Sequence, residues 1–298
     1  MKNIKLLLLL VLAFQLSLIS CSSEINDNSP LEMDDEPEPL AAVTRLNVSY
    51  GSHMQQAYDL YLPEGRTDDH TKVIILVHGG GWTAGDKADM SEFIPQLQIN
   101  HPDHAIVNMN YVLANTTTPA FPNQFLDIQR VINKLTSEKE ELQILPEFGL
   151  IGTSAGAHLS LQYDYVYDTT NAVKMVCDIV GPSDFTDPFY TNDPNFNILL
   201  QLLVDESAYP SGTNYAEAIS PALQVSASSS PSILFYGDQD PLVPLSNGET
   251  LQQALSTNMI THSFTVYEGG HGDDWTAASL ADLQLQLSAF INTHLPIE

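Results

Sequence analysis

Five consecutive aliphatic residues, Val73-Ile74-Ile75-Leu76-Val77, preceded by Lys72 and followed by His78-Gly79-Gly80-Gly81, constrain the fold of this chain more than any other segment. A strand with one wet face alternates apolar and polar side chains. An unbroken apolar run of this length, ended by glycines, belongs to a strand covered on both faces, as in a parallel sheet. Comparable segments recur near residues 105–110, 148–151, 175–180, 233–236 and 263–267, with helical patterns near 125–134, 155–163, 247–257 and 278–294 between and after them. Such alternation predicts βαβ units joined in one mostly parallel central sheet with helices on both faces, the α/β class. Upstream, residues 45–50 and 55–62 around Gly51-Ser52-His53 predict an antiparallel hairpin at one sheet edge. The interval 186–230 breaks the rhythm with proline, asparagine, tyrosine and one short apolar helix at 196–204, and is read as a small cap excursion rather than a second domain.

The first residues carry an address. Lys2 and Lys5 precede the apolar run from Leu6 to Leu18, too short for a span needing about 20 residues, so an export signal is expected over residues 1–20. Leu18-Ile19-Ser20-Cys21 resembles a bacterial lipobox, which implies a lipid-modified Cys21 and a place in the bacterial cell envelope, at the outer membrane or cell surface. Seven of the sixteen residues 24–39 are acidic and three are proline, so residues 21–43 read as a solvated tether and 44–298 as the catalytic domain. The full chain carries a formal charge of −27; without residues 1–20 it holds 8 basic and 37 acidic residues, or −29, which disfavours a nucleic-acid partner. The expected membrane contact is the lipid anchor alone. If Cys21 carries lipid, Cys177 has no disulfide partner and is read as a buried core residue.

Two glycine-rich segments fall where such a sheet gathers chemistry. Gly152-Thr153-Ser154-Ala155-Gly156 matches G-x-S-x-G directly after an expected strand and before an expected helix. A serine there sits on a sharp, strained turn that exposes its oxygen, and small neighbours make the turn possible. His78-Gly79-Gly80-Gly81-Trp82 follows the aliphatic strand, as an oxyanion loop must. Consecutive glycines let backbone amides approach a developing oxyanion, so Gly80, Gly81 and the amide of Ala155 are the expected donors. A nucleotide-phosphate loop is excluded, because neither G-x-x-x-x-G-K-[ST] nor G-x-G-x-x-G is present.

A serine hydroxyl needs a base, and the base needs an orienting carboxylate. Asp238 and Asp240 share an acidic turn after the strand near 233–236, and Glu268-Gly269-Gly270-His271-Gly272 places a histidine after the last strand. His262 precedes that strand, so His271 is the expected base. The order serine, acid, histidine is that of α/β-hydrolases. His158, one helical turn beyond Ser154, reads first as a packed or solvated helix residue. Trp82 and Trp275 flank the oxyanion loop and the histidine as candidate pocket walls. His101 and His104 lack a third ligand for zinc, so no metal and no cofactor are expected.

Together, Tyr58-Asp59-Leu60-Tyr61-Leu62-Pro63, the His78–Trp82 loop with Gly85-Asp86, Asn110-Tyr111, Asp127, the Ser154 elbow, Asp240-Pro241-Leu242-Val243-Pro244 and His271 resemble the esterase and lipase branch of α/β-hydrolases, most closely the bacterial acetyl-xylan and feruloyl esterase-like (BD-FAE-like) carboxylesterases. The resemblance spans about residues 44–295. It implies the α/β-hydrolase fold and, through the form G-x-x-D-x-x-V-P, selects Asp240 over Asp238 as the triad acid. Ala157, where many relatives have a second glycine, alters packing behind the serine. The expected activity is a serine carboxylic-ester hydrolase that removes short acyl or feruloyl groups from small-molecule or polysaccharide-linked esters. A peptidase or formamidase on the same fold is the alternative; an inactive surface-binding lipoprotein is a third reading.

Overall fold

The computed structural model describes residues 38–298. The expected export signal, Cys21 and most of the expected tether lie outside the described residues. Pro39–Glu298 form one compact unit. Its eight strands are β1 (Val43–Ser49), β2 (Ala57–Leu62), β3 (Val73–Val77), β4 (Ala105–Met109), β5 (Phe148–Thr153), β6 (Val173–Ile179), β7 (Ser232–Gly237) and β8 (His262–Tyr267). They join one sheet in the order β1-β2-β4-β3-β5-β6-β7-β8. The β1–β2 and β2–β4 pairs are antiparallel and the remaining pairs are parallel, which makes the expected hairpin the sheet edge.

The aliphatic run behaves as its composition requires. Every residue of β3 is buried. Val73, Ile75 and Val77 point into one core with the helices Asn123–Ser137, Ala155–Gln162 and Leu245–Thr257, while Ile74 and Leu76 point into the other with Phe93–Asn100 and Ala277–His294. The period of two along a strand therefore feeds two cores. Cys177 is buried in the second. The helix Phe93–Asn100 has no counterpart in the sequence reading, because Pro95 and the exposed Ile99 blur its apolar stripe. Its existence follows instead from topology: β3 and β4 are parallel neighbours, and parallel neighbours need a crossover.

The sheet presents the chemistry at its carboxyl end, where parallel α/β sheets hold ligands. Gly156, in the first turn of Ala155–Gln162, packs against β3 so closely that a β-carbon there would overlap the carbonyls of Val77 and His78. The segment between β6 and β7, which includes the expected cap excursion and is called the cap below, contributes the helix Phe196–Leu203 and shorter turns, with Phe185, Phe196, Leu200, Leu203 and Ile219 in the first core.

Asp178 of β6, paired opposite Gly152, is fully buried. Its Oδ1 accepts the Gly181 amide at 2.8 Å, and its Oδ2 lies 2.7 Å from the Tyr236 hydroxyl, itself 2.6 Å from the Gly181 carbonyl. One phenolic proton cannot serve both oxygens. A proton on Asp178 completes the chain, with the carboxyl donating to Tyr236 Oη and Tyr236 donating to the Gly181 carbonyl. Burial pushes the Asp178 carboxyl up to about 7 against the opposing pull of its hydrogen bonds. An acid raised on folding stabilises fully below its unfolded value, about 4, and loses that contribution as pH rises through the folded value. Asp178→Asn should therefore match the wild type near pH 4 and exceed it by up to about 4 kcal/mol above pH 7. Thermal melts of both proteins across this range check it; a stability gap that does not change with pH would refute a neutral Asp178.

Candidate active site

Ser154 is the hinge between β5 and its helix, with φ 50° and ψ −120°, a left-handed conformation that a serine adopts only when its surroundings impose it. Its amide donates to the Ile179 carbonyl at 2.8 Å, which fixes the turn to β6. Its Oγ lies 2.8 Å from His271 Nε2, and His271 Nδ1 lies 2.6 Å from Asp240 Oδ2. Three residues far apart in the chain thus form one line of hydrogen bonds. Asp240 Oδ1 also accepts the Leu242 and Val243 amides at 2.8 and 3.0 Å. Burial alone would raise the Asp240 carboxyl, but the hydrogen bonds from His271, Val243 and Leu242 outweigh it and hold the group below its ordinary value. A carboxylate facing Nδ1 assigns the imidazole proton to that nitrogen and leaves Nε2 free to accept from Ser154.

The two aspartates of the acidic turn have separate places. Asp238 is exposed and accepts the Gly269 amide at 3.0 Å, so it braces the turn to the histidine loop, and this hydrogen bond holds its carboxyl low. The sequence reading missed a second brace: Asp274 accepts the Gly270 amide at 2.8 and 3.0 Å. Trp275 is buried, donates its indole N–H to the Gly270 carbonyl at 3.2 Å and packs on Tyr267. It props the loop that carries His271.

The loop after β3 runs through three successive left-handed residues, Gly80, Gly81 and Trp82. His78 Nδ1 and the Tyr111 hydroxyl both bond the Gly79 carbonyl, at 2.7 and 3.1 Å, and turn it into the protein. Among the expected donors, Gly81 and Ala155 border the cavity at Ser154. Gly80 is exposed and does not border it, and its carbonyl accepts the Thr83 and Ala84 amides.

Trp82 is locked from three directions. Its carbonyl accepts Gln124 Nε2 and the Ala114 amide, at 2.8 and 2.9 Å, and its indole N–H donates to His158 Nδ1 at 3.1 Å. His158 in turn donates from Nε2 to the Ile219 carbonyl at 2.8 Å. It is fully buried among Trp82, Phe121, Phe125 and Phe185, and burial pushes it down to about 4, so it stays neutral with its proton on Nε2. His158 is a packed residue, and it ties the His78–Trp82 loop to the cap.

Two cavities meet at Ser154 and His271. One, about 280 Å³, is walled by Trp82, Phe185, Leu199, Leu200, Ile219 and Val243. The other, about 540 Å³, is bounded by Asp89, Glu92, Phe93, Asp273, Trp275 and Gln284. Trp82 and Trp275 thus line different cavities. The cap residues of the first wall carry no chemical signature in sequence and were not anticipated. Among the described residues no cluster of three or more His, Cys, Asp or Glu side chains could hold a metal ion.

The BD-FAE family model matches residues 58–255. The chain belongs to the BD-FAE family. A curated relative, the non-reducing polyketide synthase trt4 of Aspergillus terreus, is 27% identical over 150 residues, covering 46% of this chain and 6% of that protein, so the match is to a small part of a much longer protein. Among solved structures, a truncated carbohydrate esterase from gut microbiota superposes with a TM-score of 0.67 at 20% identity, covering 84% of this BD-FAE protein and 97% of that chain. Esterase B of Lactobacillus rhamnosis, in a tributyrin-phosphonate-inhibited structure, gives 0.63 at 17% identity, covering 89% and 92%. These likenesses establish the α/β-hydrolase fold.

If Asp240 orients the base, Asp240→Asn leaves the imidazole in the wrong tautomer and should lower ester-hydrolysis kcat by about 10³- to 10⁴-fold, a loss known for triads of this geometry. Asp238→Asn should cost less than about 3-fold, since only an exposed turn contact changes. Steady-state kinetics on both variants decide it: comparable losses would remove Asp240 from its assigned place.

Proposed function

We propose that this BD-FAE protein is a serine carboxylic-ester hydrolase working through an acyl-enzyme. The observation that carries the proposal is the unbroken Ser154–His271–Asp240 line, 2.8 and 2.6 Å, opening on a cavity lined by Gly81 and Ala155. In the first half-reaction His271 Nε2 takes the Ser154 proton as Oγ attacks the ester carbonyl, and the amides of Gly81 and Ala155, with Gly80 shaping the loop, face the oxyanion. Collapse of the tetrahedral adduct breaks the bond to the alcohol oxygen, which receives that proton from His271. Water then repeats the sequence on the acyl-enzyme, giving a carboxylic acid and free Ser154. Asp240 holds the imidazole in its tautomer and stabilises the imidazolium throughout.

Family membership, and the names of structural neighbours such as the gut-microbiota carbohydrate esterase, support short acyl esters of carbohydrate or small alcohols as the substrates. The phosphonate-inhibited neighbour supports attack by serine, because phosphonates capture an activated hydroxyl as a tetrahedral adduct. The signal-like residues 1–20 and Cys21 support a lipid-anchored enzyme of the cell envelope, which would meet such esters outside the cytoplasm.

The test is hydrolysis of p-nitrophenyl esters, acetylated xylan and peptide anilides by the wild type and Ser154→Ala, with fluorophosphonate labelling of both. The expected result is ester hydrolysis and labelling by the wild type, with both abolished in the variant. Equal behaviour of the two proteins on every substrate would refute the proposal, and activity on anilides alone would reassign it to amide hydrolysis.

A further inference from the structure

The two cavities at Ser154 differ in character, and the reaction treats the two halves of an ester differently. The cavity of about 280 Å³ reaches from Gly81, Trp82 and Ala155 under the cap helix Phe196–Leu203. Apart from Ser154 and His271, its wall is aliphatic or aromatic, and the hydroxyl of its one tyrosine, Tyr190, is buried. The cavity of about 540 Å³ lies on the side of Gly272 and Asp273, which follow His271, and carries three carboxylates, Asp89, Glu92 and Asp273.

The leaving oxygen must face His271 Nε2 to collect its proton, and water must later enter by the same side. The wider cleft, which has the larger polar share through those carboxylates although Phe93, Trp275, Leu280 and Leu283 also line it, suits a hydroxylated leaving group and that water. The acyl group stays on Ser154 between the half-reactions, with its oxygen held at the Gly81 and Ala155 amides that border the apolar cavity. On the serine-hydrolase reading above, we propose that the cavity under the cap is the acyl pocket, and that it selects a saturated aliphatic acyl chain of about six to eight carbons.

The size follows from volume. At about 30 Å³ for a water-sized group, the cavity holds about nine non-hydrogen atoms. Acetyl leaves most of it empty. A feruloyl group exceeds it and brings two ring oxygens to a wall that offers them no exposed side-chain hydroxyl beyond Ser154, since the Tyr190 hydroxyl is buried and, among the described residues, without a partner. The blind side of the pocket is rigid, because Trp82 is pinned through His158 to Ile219. The open side ends at Leu199 and Leu242, 49% and 61% exposed, where a longer chain would emerge into water.

The experiment is kcat/KM of the full chain on p-nitrophenyl esters from acetate to dodecanoate, alongside hexanoates of methanol, glycerol and octanol, with fluorophosphonate labelling as the independent check on Ser154. The expected result is a gain of about 3- to 4-fold per added methylene, reaching about 10²-fold at hexanoate and about 10³-fold if it continues to octanoate, then no further gain, with no comparable gain along the alcohol series. Leu199→Trp, at a half-exposed position that tolerates bulk, and Leu200→Trp, deeper in the wall, should each lower the hexanoate-to-acetate ratio at least about tenfold. A labelled, active enzyme that prefers acetate or a hydroxycinnamate, or whose rate grows with the alcohol instead, overturns the assignment of the pocket. A protein that is neither labelled nor active overturns the serine-hydrolase reading itself.

Discussion

In the β3–β5 ladder Val77 lies opposite Gly152, and the geometry of the candidate site depends on that register. The residues that continue each strand, 78–82 and 154–155, then leave the sheet side by side. Close packing of Gly156 on the Val77 and His78 carbonyls keeps them there, because the helix after Ser154 can approach β3 only where no β-carbon intervenes. A one-residue slip would turn every β3 side chain to the opposite core and carry Gly81 away from Ser154. Burial of an all-aliphatic strand does not itself choose the register; a slip would bring Lys72 or His78 into the run and misfit two close-packed cores. The hydrophobic run and the glycine loop that follows it are thus one device.

The same end of the sheet holds two buried carboxyl groups in opposite states. Asp240 has the His271 imidazole and two backbone amides around its oxygens and stays ionised below its ordinary value. Asp178 has one amide and a hydroxyl already committed to a carbonyl, and burial keeps its proton. Depth separates them, and the count and kind of donor add to it. In a chain of net charge −27 the distinction matters, because a second charged acid at this end of the sheet would weigh against the one bonded to His271.

Much of this was legible in sequence, for identifiable reasons. The parallel strands show as aliphatic runs because both of their faces are dry. Ser154 and His271 show because glycines surround them and their order is fixed by topology. Asp238 and Asp240 could be separated only by resemblance, since both occupy one turn; the geometry separates them through the reach of a single carboxylate to Nδ1. The helix Phe93–Asn100 escaped notice because Pro95 and Ile99 disguise its period, although the β3–β4 crossover demanded it. Trp82 and Trp275 looked alike as aromatics beside key loops, yet one walls the apolar cavity and the other props the histidine loop. Local pattern carries no record of which side of a loop faces a cavity. The cap was foreseen only as a break in rhythm, since an excursion is placed by contacts with distant residues.

Those distant contacts explain how a poorly patterned segment becomes a defined wall. Asn247, in the first turn of Leu245–Thr257, accepts the Ser183 and Asp184 amides at 2.9 Å each and donates to Asp187, which also accepts the Ser246 hydroxyl. The start of the cap is therefore clasped by the helix that follows the Asp240 turn, while its far part, at Ile219, receives the His158 hydrogen bond from the helix that follows Ser154. Both anchors belong to elements that also position Ser154 or Asp240. A cap hung on free loops would let the apolar cavity vary in size against a fixed serine. One hung on these two helices holds wall and serine in a single frame, which is the condition for a cavity to discriminate acyl groups by a few methylenes.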